Sequence, residues 1–372
     1  MELINATKME AACTLGVEPS GRESLIVAVK GTFRIPGPTE APDIFSMHES
    51  QVPLVMADTF TGNPGRSSPV LEADFAPRKG QCDVLLVASA HASGGRPVRR
   101  VDAGIRIGQW SKRIAVLGRR HWNMFATEFK PSTPEPFVRQ AITYDVAFGG
   151  LDDYHEDPQL HQAFGPNPVG LGFHRHLRGE WVDGAPMPQT EAWDEAVLTP
   201  DGAYRPMSFG PVGRGWDSRL RHAGTYDDVW LANHYPFLPP DFDARYFQAA
   251  PDDQRIPLAA FKSGALEVLL GNLTPEGRAR FTIPPTVAPI HVFPKKGPTE
   301  RYEATLDTIV IEPDQQRFSL TWRLSRPLRR DLFEIAEVLV GQRGRVWWIE
   351  REALTMPGSS SALELQSAEE AL

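Results

Sequence analysis

Proline fixes φ and removes a backbone donor, so a chain that carries it throughout cannot build long helices or uninterrupted central strands. Here 34 prolines and 31 glycines lie among 372 residues. The same chain is 41% hydrophobic and holds nine tryptophans, which is too much apolar surface for a disordered polymer. The prolines therefore punctuate a folded, loop-rich structure, and such punctuation suits β architecture better than helices.

The segments between the breaks agree. "LIVAVKGTFRI" (25–35), "CDVLLVASAHA" (82–92) and "VRRVDAGIRIG" (98–108) alternate or are β-branched, and each ends at a glycine or proline turn. After Ile256 the pattern returns in "ALEVLLGNL", "ARFTIPP", "PIHVF", "YEATLDTIVIEP" and "RFSLTWRLS", with Pro313 and Asp314 at the corner of a hairpin. "RRDLFEIAEVLVGQ" reads equally as an amphipathic helix or a strand. Between these β-rich parts proline, glycine and aromatic residues rise together and periodicity fades. The expectation is a mainly β protein: antiparallel β-sandwich-like sheets with long ordered Pro/Gly/aromatic-rich loops and few short helices. Its parts are a β-sandwich-like region over 1–130, an irregular region packed on the sheets over 131–255, a C-terminal β region over 256–350 and a flexible tail over 351–372.

A formal net charge of −8 gives no electrostatic footprint for nucleic acid. The basic run "RRVDAGIRIGQWSKRIAVLGRRH" reads as the wet face of a half-buried sheet. Cys13 and Cys82 are too few for a disulfide framework or a thiolate metal site. No apolar run has the length of a signal peptide or membrane span, so a cytoplasmic location without membrane contact is expected.

Several clusters invite a chemical reading. His174 and His176 lie two apart, with His155, His161, Asp152, Asp153 and Asp157 upstream; such a set can hold a transition metal, though paired histidines in loops are more often turn residues, and no metal is expected. Asp227, Asp228, Asp241 and Asp243 offer the paired carboxylates of a glycosidase, which must flank a scissile bond across one cleft. The same aspartates fit turn and cap chemistry, with Asp227 or Asp228 capping "DDVWLANHY" and Asp241 capping "DFDARYFQ". The glycine-rich "AFGG", "NPVGLGF" and "FGPVGRGW" lack the lysine and strand-to-helix frame of a phosphate loop. Ser68, Ser89, Ser208 and Cys82 lack a nucleophile's surroundings. No catalytic residue and no cofactor is expected.

Taken in order, "YDVAFGG", "NPVGLGF", "SFGPVGRGWDSRLRHAGTYDDVWLANHYPFLPPDFDARYFQAAPDDQR" and "LLGNLTPEG" resemble a bacterial domain-of-unknown-function family. Its genes sit beside type VI secretion genes for the spike protein VgrG and for effectors with a PAAR tip domain. The resemblance spans roughly residues 20 to 330. It implies a non-enzymatic adaptor or chaperone, with a PAAR-domain effector as partner and possible contact with the VgrG spike. Large rigid rings are what protein interfaces enrich, and Trp216, Tyr226, Trp230, Tyr235, Phe237, Tyr246 and Phe247 are the candidate protein-binding residues. The alternatives are a carbohydrate-active β-fold hydrolase using the paired aspartates and a structural tip component exported with the spike.

Overall fold

The alternating basic run settles into the strand Arg100–Ile107, with Val101, Ala103, Ile105 and Ile107 buried and Arg100 and Arg106 exposed. In the computed structural model, which describes residues 1–355 except 19, 44 and 263, this strand is central to a five-stranded antiparallel sheet. The order is Thr190–Ala192, Trp110–Leu117, Arg100–Ile107, Leu266–Gly271, Arg278–Ile283.

A nine-stranded sheet faces it. Its main path runs Glu2–Asn5, Ile335–Val340, Ala288–Pro294, Glu300–Glu312, Arg317–Pro327, Glu23–Arg34, Glu10–Val17, and Gln81–Leu86 with Arg255–Pro257 branches from it. The long strand Glu300–Glu312 joins two halves. Its first residues pair with Ala288–Val292, and its later residues pair with both Arg317–Arg323 and Asp83–Leu86; the register shifts between Leu306 and Thr308. Such an irregularity bends a strand and raises its local twist, which lets one strand serve both groups. The path begins and ends on consecutive strands, so the sheet curls towards a barrel.

Apolar side chains from both sheets meet in one core, including Val27, Phe33, Val84, Ile105, Val116, Leu270, Phe281, Ile309, Leu320 and Trp322. Fully burying one such aliphatic side chain is worth about 1.5–3 kcal/mol. Strands from either side of the irregular stretch are neighbours in both sheets: Gln81–Leu86 with Glu300–Glu312, and Arg100–Ile107 with Leu266–Gly271.

Glu23–Arg34 is buried on both faces. Leu25, Val27, Val29 and Phe33 enter the core, while Ser24, Lys30 and Thr32 lie on the opposite face under an irregular layer. That covered face is ionic. Lys30 pairs with Asp74 at 2.9 Å, Lys79 with Asp83 at 2.7 Å and Arg323 with Asp307 at 3.1 Å, and Arg323 also donates to the carbonyl of Asp74. Burial raises the Asp307 carboxyl above its ordinary range despite Arg323. Buried pairs add little net stability but strongly penalise any arrangement that separates them, so they fix where the covering layer sits.

The architecture is the mainly β one expected, and the α-helices among the described residues are short: Gly179–Val182, Asp217–Leu220, Asp228–Asn233 and Arg345–Thr355. Particular elements differ. The ambiguous "RRDLFEIAEVLVGQ" forms a 3-10 turn at Leu332–Glu334 and then the strand Ile335–Val340. The strands Glu2–Asn5 and Glu10–Val17 precede the first strand expected; the first is only four residues long, the second is weakened by its Ala, Glu and Gly, and pairing with neighbours places them at the sheet edges. Glu2–Asn5 with Glu337–Val340, and Gln81–Leu86 with Glu300–Glu312, are parallel pairings in a sheet whose other pairings are antiparallel, and Phe148–Gly149 pairs parallel with Leu171–Gly172 in the irregular region. The helix Arg345–Thr355 enters the stretch expected as a flexible tail, and the rest of that tail lies outside the described residues. No helix among the described residues is long and apolar enough to cross a membrane.

Candidate protein-binding surface

The irregular stretch first supplies interior. Trp122, Phe148, Val182, Met187 and Val197 form a second apolar cluster, and Tyr144, Ala147, Val212 and Trp216 a third. Phe148 meets Phe164 and Tyr204 edge to face at 5.1 Å each. The glycine motifs serve this packing. A Cβ on Gly149, whose φ is +148°, would stand 2.1 Å from the Asn167 carbonyl, so only glycine lets these backbones pass. Asn167 is fully buried and donates to the carbonyls of Tyr144 and Phe148. Trp216, expected at a binding surface, is only 7% exposed and stands edge-on to Tyr144 at 5.1 Å. It belongs to the interior.

Arg219 closes this layer. Only 2% exposed, it donates to the carbonyls of Val212 and Tyr246 and to the Glu72 carboxylate at 2.7 Å, which Arg214 also reaches. Arg214 further clasps Asp58. These arginines tie the chain before and after the next segment to the loop over the sheet.

From Thr225 to Asp241 the chain makes an excursion whose ends are knotted by that carboxylate: Asp241 accepts from the Thr225 amide at 3.0 Å and its hydroxyl at 2.8 Å. Within it Asp227 caps the helix Asp228–Asn233 by accepting from the Trp230 amide at 2.8 Å. Trp230 is the hub, half-buried, with Tyr226 at 4.7 Å and Tyr235 at 5.7 Å from its ring and its indole N–H on the Phe237 carbonyl. The Phe237 ring lies over Gly21, where an added Cβ would come within 3.2 Å. The Tyr235–Pro236 peptide is cis.

What faces solvent is apolar. Tyr235 is 66% exposed, Val229 62%, Leu231 59%, Tyr226 53% and Phe237 46%. Of the expected residues, Tyr226, Tyr235 and Phe237 are thus displayed and Trp230 supports them. Tyr246 and Phe247 are half-buried and pack with Phe242 beside the excursion. Val229 and Leu231 were missed by attention to rings, although a signal exists: Val229, Trp230 and Leu231 sweep about 200° of a helix, so one face cannot bury all three.

The chemistry-bearing clusters resolve into local ties. Asp243, not Asp241, caps the 3-10 turn Ala244–Phe247, and its pairing with Arg245 lowers its carboxyl to about 2. Hydrogen bonds from Thr225 hold Asp241 below the usual carboxylate range. Three of the four aspartates weighed for hydrolysis therefore hold turns. Asp152 accepts from the amides of Tyr154 and His176 and from the His176 ring, while His161 contacts the His155 carbonyl. Among the described residues no group of three or more His, Cys, Asp or Glu side chains is placed to hold a metal.

The model of a family described as an uncharacterized protein conserved in bacteria (DUF2169) matches residues 20–323, most of the chain. The chain belongs to that family. No curated protein and no solved structure matches it.

Proposed function

We propose that the protein is a cytoplasmic adaptor or chaperone of a type VI secretion system, which binds a PAAR-domain effector and helps load it onto the VgrG spike. One observation carries this reading: the excursion from Thr225 to Asp241 displays Tyr226, Val229, Leu231, Tyr235 and Phe237 to solvent while polar ties hold it in one shape. An apolar group held this firmly is costly to leave wet and well suited to a partner, because rigid side chains lose little entropy on binding. The resemblance of residues 20 to 330 to proteins encoded beside VgrG and PAAR effector genes supports this partner class. Three of the aspartates a hydrolase would need accept backbone hydrogen bonds from their neighbours, which favours contact over chemistry.

Co-expression with the PAAR-domain effector encoded beside it tests the reading. The expected result is a complex that co-purifies and an effector whose soluble yield rises. An effector equally soluble alone, with no complex recovered, would sink it.

A further inference from the structure

The five-stranded sheet ends on Arg278–Ile283, which among the described residues pairs only with Leu266–Gly271. Which backbone groups of this strand are free follows from the register. The Asn272 amide bonds the Gly277 carbonyl and the Gly108 amide bonds the Glu267 carbonyl, so Ala279, Phe281 and Ile283 bond inward. The N–H and C=O of Arg278, Arg280 and Thr282 therefore point away from the sheet, and among the described residues no backbone group meets them.

This edge borders a cleft of about 850 Å³ that Ile35, Pro36, Pro38, Pro42 and Pro313 also line, with the carboxylates of Glu40, Glu276 and Asp314. The prolines among these residues offer no N–H of their own that would compete for the edge. The two sides of the edge differ. Arg278 and Arg280 project to solvent; Arg280 and Arg106 share the one carboxylate of Glu267 and Arg278 has no carboxylate partner among the described residues, so this side keeps a net positive charge, while Phe281 and Ile283 on the other side enter the core.

We propose that this edge is a docking site for an extended peptide of a partner protein, added as a sixth strand, with acidic side chains beside Arg278 and Arg280 alternating with apolar ones turned to the cleft. Strand addition gains affinity from main-chain hydrogen bonds and specificity from alternate side chains. Net positive charge on this side favours this occupant over a second copy of the chain. Symmetric self-pairing centred on Arg280 would set that guanidinium opposite its own copy, and like charges directly opposite are destabilising. The site uses none of the residues at 226–237 and stands whether or not that surface binds.

The probe is a fluorescein-labelled peptide of about nine residues alternating Glu and Val, titrated into the full-length protein and followed by anisotropy. Saturable binding below about 1 mM is expected. A peptide N-methylated at alternate amides should lose it. Arg280→Pro should weaken binding at least about tenfold while the fold stands, because the amide it removes faces outward. Should that variant unfold, the Arg278→Glu/Arg280→Glu pair keeps the test open by switching preference to a peptide of alternating Lys and Val. Val229→Asp/Leu231→Asp should leave the peptide's affinity unchanged. No binding by the Glu/Val peptide, equal binding by its N-methylated form, or a dimer broken by Arg280→Pro would each overturn the proposal.

Discussion

Two sets of side chains from one aromatic-rich stretch end in opposite environments. Tyr144, Phe148 and Trp216 are at most 7% exposed, whereas Tyr226, Phe237 and Tyr235 are at least 46% exposed. The difference lies beneath them. The first set has apolar partners and glycines that let backbones close in, so burial holds it. Aspartate caps, an indole hydrogen bond and a tied loop base hold the second, so its order comes from local polar contacts and leaves the rings on show. Order and burial are separable here, and only the first is needed for a binding surface.

Substitutions should divide the two sets by size of effect. Phe148→Ala removes a ring that meets Phe164, Phe173 and Tyr204, and should cost about 3–5 kcal/mol in guanidinium unfolding. A cost under about 1 kcal/mol would mean the interior set is not closely packed. Arg219→Met joins the sets, since it frees the Val212 and Tyr246 carbonyls and leaves Glu72 to Arg214 alone; a loss of about 3 kcal/mol is expected. Asp227→Ala should cost about 1 kcal/mol and fray only Asp228–Asn233, visible as faster amide exchange there.

Acid should loosen the turn that Asp243 holds beside the displayed set. The Asp243 carboxyl is lowered from its ordinary 3.8 to about 2 by its hydrogen bonds with Arg245, so its contribution is complete above pH 3.8 and fades as pH falls towards 2. NMR signals of the turn Ala244–Phe247 should broaden across that window in the wild type and not in Asp243→Asn. The smallest effect belongs to Val229→Asp/Leu231→Asp, whose melting should stay within about 0.5 kcal/mol of wild type because both side chains are already in water.

How far the sequence revealed this follows the same division. Strand periodicity exposed most of both sheets, since one face of each strand must be apolar; Val101 to Ile107 is the clearest case. Sheet order was hidden, because the pairing of Gln81–Leu86 with Glu300–Glu312 joins segments more than two hundred residues apart with no local mark. In the candidate surface a cap at Asp227 or Asp228 was legible from "DDVWL", and the structure gives it to Asp227. Burial of Trp216 was not: it depends on Tyr144 and Val212 arriving from elsewhere. The cap at Asp243 and the tie from Asp241 to Thr225 were interchangeable in sequence, as both aspartates sit in "PPDFD" and only the loop's closure tells them apart.

The most direct measurement is co-purification of the PAAR-domain effector with wild type and with Val229→Asp/Leu231→Asp, alongside thermal melting of each. The expected outcome is loss of the effector from the double variant at an unchanged melting temperature. Full retention of the effector would contradict a binding role for these side chains, and loss accompanied by a large drop in melting temperature would place them among the residues that hold the fold.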